Sequence, residues 1–423
     1  MLDSKNFRVK KCLETLGLIF LSFLFITSFQ SKALINIFLL LSLLNSIIYI
    51  IFFEKRVLIE KKYIWLFIAP YLLGFILGFL SESGAIGSIE FLQRFKFMVI
   101  LLPLACFVKS KKEMIFLLAI TYISALIAIL YGIYKNQHYG NFHGFHSIGR
   151  TADMLVILLL SSLAYLVQSR FTFTLRSILE KTILLGAVFT FSWAIIMTEM
   201  RGAWLGMSVG LFFLILGLFI LKKKILGFSL LVLIIATGVI FLKTYNNADT
   251  IKKQVVSISE TQENTSNKTR LDLWKTGWDF SKDQFFFGTG AKQSKDMFIN
   301  FFNNQEESYQ KKYKYAMNHP GDYHNSYLQI YIETGIIFFI IYISSISASL
   351  LYFIKRIQKI PFENRKYPLA AIVGSLAFLS IQFFHNELYS YGATVFYLTI
   401  FASFYVLNEN EKTSTYLEGN KDE

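Results

Sequence analysis

Arg201 lies between two apolar runs, where its side chain could bind an anion at a membrane surface. The run 182–199 is followed almost at once by the run 203–221, so Arg201 and Glu199 are predicted at the tip of a helical hairpin. A guanidinium inside hydrocarbon costs about 2.5–3.5 kcal/mol, and less near the interface. Arg201 therefore either reaches the interface, alone or paired with Glu199, or clamps an anionic substrate. Gly202 favours the clamp because it lets a ligand approach the backbone.

Arg270 belongs to a second polar segment, NKTRLDLWKTGWDF, residues 267–280. If this segment is helical, Arg270, Trp274 and Trp278 follow one another at four-residue spacing along one stripe. The stripe would lay two indoles on the membrane interface and direct the arginine at a lipid head group. Trp274 and Arg270 are therefore candidate substrate ligands. The alternative is an amphipathic interfacial helix with a solvated arginine.

A third segment, HPGDYHNSYLQIYIETG, residues 319–335, contains His324 and Asn325. Its Pro-Gly-Asp sequence predicts a turn, and the residues from His324 onward predict a helix that runs into an apolar span. His324 would then lie in the first helical turn, just above the membrane. A near-neutral pKa suits a histidine to general-base catalysis, and Asn325 beside it is a candidate substrate ligand. The alternative is a histidine that only forms hydrogen bonds at the interface.

Four other residues offer weaker signals. Arg94 and Lys96 begin an apolar run and either add positive potential to a site or anchor a helix at the interface. The two-residue gap between His143 and His146 could bind zinc, but no clear third ligand accompanies them. The chain has no Walker loop, dinucleotide fingerprint or acidic metal cluster, so we expect neither a cofactor nor a metal.

The elements that must position these residues are membrane helices. The chain is 54% hydrophobic and 17% charged, and it contains 44 Phe and 23 Tyr. Apolar runs of about 15–20 residues predict an all-α, polytopic membrane protein with about twelve transmembrane helices. A basic start followed by a long apolar run is interpreted as the first span rather than a cleaved signal peptide. The predicted spans are 13–29, 34–53, 63–80, 94–108, 114–134, 152–168, 182–199, 203–221, 225–242, 327–354, 368–384 and 389–407.

The basic residues fall mostly in alternate short connections, which the positive-inside rule assigns to the cytoplasm. The net charge of +14 is therefore interpreted as orientation charge, not as a nucleic-acid site. This pattern predicts a bacterial inner-membrane protein with both termini cytoplasmic. It places all six histidines on the periplasmic face: His138, His143, His146, His319, His324 and His385.

The predicted spans divide the chain into four parts. The long loop is expected to lie in the periplasm and to be helical around 250–260, 268–283 and 290–302. The four parts are 1–242 with nine spans, the loop 243–326, 327–407 with three spans, and the polar cytoplasmic tail 408–423.

Together, two arginines and a histidine at a membrane boundary suit a membrane-anchored diphosphate. A planar guanidinium grips phosphate oxygens bidentately and stabilises the charge of a leaving diphosphate. A histidine can take the proton of an attacking hydroxyl. No metal is needed if the arginines neutralise the diphosphate.

The segments RGAWLG, WKTGWDF with the following FFGTG, and HNSYLQIYIETG resemble the O-antigen ligase and polymerase superfamily in order and placement. The resemblance implies a GT-C-like helical fold and an inverting, metal-independent glycosyltransferase. Such an enzyme takes a glycan from undecaprenyl diphosphate at the periplasmic face. It further implies that Arg201 and Arg270 bind the diphosphate and that His324 activates the acceptor hydroxyl.

The superfamily contains several activities. The size of the chain and the segment KSKKE, residues 109–113, favour a ligase that joins the glycan to lipid A-core. The alternatives are a polymerase that joins lipid-linked repeat units, and a protein O-glycosyltransferase. A flippase or transporter of polyprenyl-linked sugars is a further alternative, but charges scattered through mid-membrane positions or repeated halves, typical of transporters, are not evident.

Overall fold

The computed structural model describes residues 2–55, 57–139, 142, 144–170, 172–244 and 265–419. All regular secondary structure within these residues is helical, in agreement with the predicted all-α fold. The first eleven α-helices are α1 Leu2–Thr27, α2 Lys32–Phe52, α3 Val57–Glu60, α4 Trp65–Gly78, α5 Gly84–Phe95, α6 Leu101–Phe107, α7 Lys111–Tyr139, α8 Ile148–Gln168, α9 Leu175–Met197, α10 Arg201–Ile220 and α11 Lys224–Thr244. The remaining six are α12 Thr265–Phe280, α13 Ser294–Asn303, α14 Glu307–Lys312, α15 Ser326–Arg356, α16 Lys366–Ile381 and α17 Ala393–Gly419.

Most predicted spans correspond to one helix, but the fourth does not. Residues 94–108 divide into the end of α5, a 3₁₀ turn over Lys96–Ile100 and the short helix α6. Helix α5 itself occupies a stretch predicted as a connection. Its apolar residues recur on one face and pack against α4, a pattern that hydropathy alone does not separate from a loop.

The protein is a multi-pass membrane protein. Six helices within the described residues are long and apolar enough to cross a membrane. They are Lys32–Phe52, Lys111–His138, Ile148–Gln168, Leu175–Met197, Arg201–Ile220 and Ser326–Lys359. Two shorter apolar helices, Lys62–Gly78 and Lys224–Ala236, accompany them in the same part of the chain. The number of about twelve crossings remains a prediction.

Helix α8 lies at the centre of the bundle. Every residue from Thr151 to Ser162 is buried, as expected for a predominantly apolar helix inside the bundle. It packs most extensively against α16, which also contacts α10 and α17. Helix α9, by contrast, exposes large apolar side chains such as Phe189 and Ile183. The centre of the molecule is thus a packed core, while helices such as α9 offer apolar faces suited to lipid.

The long loop folds over the start of α15. Helices α12 and α13 correspond to two of the three predicted loop helices, whereas the prediction around 250–260 lies outside the described residues. The loop has a small apolar core of its own, formed with the first turns of α15: Leu273, Phe280, Phe298, Phe302, Ala316, Tyr323, Tyr331 and Ile332. The loop is therefore packed on the helix that it precedes.

Helix α15 is broken at Gly335, where φ is 72° and ψ is 175°. The segment 285–290 fills the break. The Thr289 amide donates to the Ile332 carbonyl at 2.9 Å, and the Ile336 amide donates to the Phe285 carbonyl at 2.9 Å. The motifs FFGTG and ETG therefore belong to one docking contact, which orients the first part of α15.

We expect Gly335→Ala to lower the thermal stability of the detergent-solubilised protein. Only glycine adopts this backbone conformation readily, and non-glycine residues there cost of order 1–3 kcal/mol. A Cβ at Gly335 would also lie 2.1 Å from the Phe286 carbonyl oxygen. Gly186→Ala on α9 is the matched control, since a Cβ there meets nothing within 4 Å. Equal melting temperatures for the two variants would contradict this account of the break.

Candidate functional site

Arg201, Arg270 and His324 converge at one end of the helix bundle, where α10 and α15 begin and α16 ends. Burial lowers the pKa of Arg270, and the charge of Arg201 lowers it further. Burial also lowers the pKa of His324; Asp322 opposes this change, while Arg270 is among the neighbours that reinforce it. Residues that are far apart in sequence therefore share one electrostatic environment, which we call the cationic site.

Arg201 is the first residue of α10 and follows a tight turn. Glu199 in that turn has a left-handed backbone with φ 52° and an exposed side chain. No ion pair joins Glu199 to Arg201 within the described part of the chain. The preceding residue, Met200, caps the helix without a side-chain hydrogen bond. The hairpin tip thus directs the amino end of α10 toward the cationic site.

Arg270 lies on α12, one turn before Trp274. The Trp274 indole donates to the Tyr323 carbonyl at 2.9 Å and packs against Phe384, with ring centroids 6.2 Å apart. Trp274 was expected to lie on the membrane interface as a substrate ligand. The structure shows it half-buried and bonded to the residue before His324, so it positions that segment.

His324 lies outside the helix that was predicted to contain it. Helix α15 begins at Ser326, and Asn325 is its cap, accepting hydrogen bonds from the amides of Tyr327 and Leu328 at 3.0 and 3.1 Å. His324 has a left-handed backbone with φ 47°, and its amide donates to Asp322 Oδ1 at 3.2 Å. The predicted first-turn position is wrong because the helix needs a capping residue, and Asn325 is preferred for that role. Asn325, expected to bind substrate, has its side-chain oxygen engaged in the cap.

Ser326 links the His324 segment to the connection between α16 and α17. Its amide donates to the carbonyls of Gln382 and His385, both at 2.9 Å. Its hydroxyl lies 2.8 Å from Gln382 Oε1 and 2.9 Å from the His385 carbonyl. These bonds fix His324 and His385 relative to each other.

His385 and Asp153 form a buried pair that the sequence analysis did not single out. Nδ1 of His385 lies 2.9 and 3.0 Å from the two carboxylate oxygens of Asp153. Burial lowers the pKa of His385, but the charge and hydrogen bond of Asp153 outweigh it, so the pKa is raised overall. His385 was expected only as one of six periplasmic histidines. The sequence does contain one indication of Asp153, a carboxylate inside the apolar run TADMLVILLL. Ionisable residues within membrane spans are rare and usually have a partner.

Arg94 is ion-paired, and Lys96 is half-buried. Arg94 Nε lies 2.9 Å from Glu333 Oε2, and its guanidinium donates to the Tyr389 hydroxyl at 2.9 Å. The Lys96 ammonium lies 5.7 Å from the centre of the Phe97 ring. The charge of Arg94, expected to serve the substrate, is thus compensated by a carboxylate and ties α5 to α15.

A second arginine anchors the same connection. Arg150 at the start of α8 donates to Glu387 at 2.5 Å and to the Tyr391 hydroxyl at 2.7 Å. His146 nearby is buried, with Nε2 3.1 Å from the Ser28 carbonyl, whereas His143 lies outside the described residues. Among the described residues no group of three His, Cys, Asp or Glu side chains is placed to hold a metal ion.

An apolar groove of about 430 Å³ opens between α12 and α15 beside the cationic site. Asn325 lies at the site's end of the groove. The apolar side chains that line it are Trp274, Trp278, Phe285, Tyr327, Leu328, Tyr331, Ile336 and Phe339. A groove of this composition suits a hydrocarbon chain next to a polar head group.

Residues 186–343 match the family model described as O-antigen ligase. The match confirms the predicted resemblance to that superfamily over this stretch, which contains Arg201, Arg270 and His324. The chain is also 27% identical over 215 residues to an uncharacterised protein of Haemophilus influenzae. The match covers 49% of this chain and 52% of the relative, so the chain spans about half the length of the curated relative it matches.

We expect Glu333→Gln to destabilise the protein strongly. It leaves the Arg94 charge buried without its carboxylate, and breaking one side of a buried ion pair costs about 3–5 kcal/mol. Glu307→Gln is the matched control, because Glu307 and Lys311 form an exposed pair, and such pairs contribute about 0–1 kcal/mol. Thermal melting in detergent measures both. If the Glu333→Gln protein were as stable as the control, another group would have to compensate the charge of Arg94.

Proposed function

We propose that this protein is a glycosyltransferase that moves a glycan from undecaprenyl diphosphate to an acceptor hydroxyl. The observation that carries the proposal is the convergence of Arg201, Arg270 and His324 beside an apolar groove. The match of residues 186–343 to the O-antigen ligase model supports it, because all three residues lie in that stretch.

The two arginines are proposed to bind the diphosphate of the donor. Each guanidinium can donate two parallel hydrogen bonds to phosphate oxygens. Their mutual repulsion, which contributes to the lowered pKa of Arg270, would be relieved by a bound anion. The groove between α12 and α15 would then hold the start of the polyprenyl chain.

His324 is proposed to act as the general base. Its lowered pKa keeps the imidazole neutral near pH 7, as a base requires. The acceptor hydroxyl gives its proton to His324 while its oxygen bonds to the anomeric carbon. The bond from that carbon to the diphosphate oxygen breaks, and the electron pair leaves with the diphosphate. One displacement from the opposite face inverts the anomeric centre.

The proposal for the acceptor is supported by the resemblance, and the proposal for the orientation by the charge pattern. We propose that the site faces the periplasm of a bacterial inner membrane, with both termini cytoplasmic, and that lipid A-core is the acceptor. A polymerase would use the same donor site with a second lipid-linked glycan as acceptor. Because arginines supply the neutralising charge, transfer is proposed to proceed without a metal.

We expect Arg201→Ala, Arg270→Ala and His324→Asn each to insert normally and to lose transfer. Loss of a general base typically costs about 10²–10⁴-fold in rate. Asparagine is chosen at position 324 because it tolerates a left-handed backbone, so the loss reports on the imidazole. The control is Lys311→Ala, an exposed residue of the loop.

The measurement is transfer by the purified protein in liposomes containing undecaprenyl-diphosphate-linked glycan, with and without lipid A-core, and with and without chelator. Glycan on lipid A-core supports the ligase. Chains that lengthen on the carrier alone indicate the polymerase. Normal transfer by all three variants would refute the site, and the absence of any new glycosidic bond would favour a transporter.

The pH dependence of transfer gives an independent check on His324. Because burial and neighbouring cations lower its pKa below the ordinary value of 6.5, the base remains neutral to lower pH than a free histidine. The midpoint of the acid limb of the rate should therefore lie below pH 6.5. An acid limb well above that value would assign the base to another group.

A further inference from the structure

The buried pair of His385 and Asp153 has no part in the mechanism proposed above. Asp153 has no exposed surface, and His385 is nine-tenths buried, with 9% of its surface exposed. Both oxygens of the Asp153 carboxylate contact Nδ1 of the imidazole, so the ring is held in one orientation. The other ring nitrogen, Nε2, forms no hydrogen bond within the described residues.

Nε2 of His385 is directed at the amino end of α10. A Cβ built on Gly202 would lie 3.4 Å from Nε2, and one on Gly149 would lie 3.3 Å from Cε1 of the same ring. Because both positions are glycine, the free edge of the imidazole is left uncovered. Met200 adds no side-chain hydrogen bond at this helix end, and the amino end of a helix carries partial positive charge. A polar ring edge and a helix amino end thus meet beside Arg201.

We propose that His385, held by Asp153, donates a hydrogen bond from Nε2 to an oxygen of the leaving diphosphate at the amino end of α10. The inference rests on the proposed function and deepens it, because it assigns the leaving-group side of the same site. His385 keeps its proton throughout, so the atom balance of the transfer is unchanged. As the glycosidic carbon–oxygen bond breaks, negative charge grows on the diphosphate and the hydrogen bond strengthens.

The electrostatic surroundings of the two histidines agree with opposite roles. His385 faces Asp153 from α8, Glu387 from its own connection, Arg270 from α12 and His324 before α15. Its ring also lies beside Gly202 near the start of α10. Asp153 and Glu387 raise its pKa against burial and Arg270, whereas the pKa of His324 is lowered. Two titratable groups whose surroundings separate their pKa values are suited to separate acid and base roles. The lowered pKa suits His324 to act as the base, and the raised pKa suits His385 to keep its proton.

The test measures binding of inorganic pyrophosphate to the full-length protein in detergent across the range in which histidines titrate, roughly pH 5 to 8. All proteins carry His324→Asn, which removes the other imidazole assigned to the site. The background protein should bind more weakly as the pH rises through the pKa of His385. The substitution Asp153→Asn removes the interaction that raises the pKa of His385. The fall in pyrophosphate affinity should therefore occur at lower pH.

His385→Gln should weaken binding at low pH by about tenfold or more, as expected for the loss of a charged hydrogen bond, and should remove this pH dependence. His138→Gln, at an exposed histidine on α7, is the matched control and should behave as the background protein. Pyrophosphate also changes its protonation over this range, but it does so equally for every variant. Differences between the variants therefore report on the protein.

The outcomes separate this inference from the proposed function. If Arg270→Ala loses pyrophosphate binding but His385→Gln and Asp153→Asn retain the background affinity and pH profile, the diphosphate site stands and the role of His385 is overturned. Lower melting temperatures with unchanged affinity would likewise make the pair a structural link between α8 and the α16–α17 connection. If neither the background protein nor the protein with native His324 binds pyrophosphate, the diphosphate assignment of the proposed function fails, and this inference fails with it.

Discussion

The hydrogen bonds of Ser326 are the constraint on which the cationic site depends. Ser326 is the first residue of α15, and its amide and hydroxyl both engage the connection that follows α16. His324 lies two residues before Ser326. The backbone carbonyl of His385 accepts hydrogen bonds from both the amide and the hydroxyl of Ser326. A shift at this contact would move the two histidines apart. The Asn325 cap precedes Ser326 directly, and the docking of 285–290 at the Gly335 break orients the same part of α15.

The arginines of this region fall into two groups by their surroundings. Arg94 and Arg150 each contact a carboxylate and a tyrosine hydroxyl, and both fasten the segments around the α16–α17 connection. Arg201 and Arg270 face each other, and the pKa of Arg270 is lowered rather than raised. Arg270, whose pKa is lowered by burial and by the charge of Arg201, is suited to an anionic ligand, whereas an arginine paired with a buried glutamate is suited to structure. The fold thus separates anchoring charge from charge proposed for binding.

Local patterns in the sequence were sufficient for the helices and for three residues that the structure brings together. Apolar runs located most of the long helices, but they missed α5, which occupies a predicted connection. The boundary between two runs singled out Arg201, the spacing with Trp274 and Trp278 singled out Arg270, and the turn before an apolar span singled out His324. The partners of Arg94 and His385 escaped because Glu333 and Asp153 lie more than two hundred residues away in sequence, and periodicity carries no information about such pairs. The position of His324 before the cap escaped for a different reason. A hydrophobic pattern locates the first residue of a helix only to within one helical turn. The cap depends on which side chain accepts hydrogen bonds from the first amides of the helix.

The order of these residues along the chain bears on how the protein is made. Chains are synthesised and inserted from the amino end, so Asp153 on α8 enters before its imidazole partner exists. The acceptors that Ser326 requires also come late, since Gln382 and His385 follow α16. Until the connection after α16 is made, a nascent chain therefore carries Asp153 without its histidine and the His324 segment without the acceptors of Ser326. A chain that stops before the α16–α17 connection would therefore contain Arg201, Arg270 and His324 but lack the contacts that fix the position of His324.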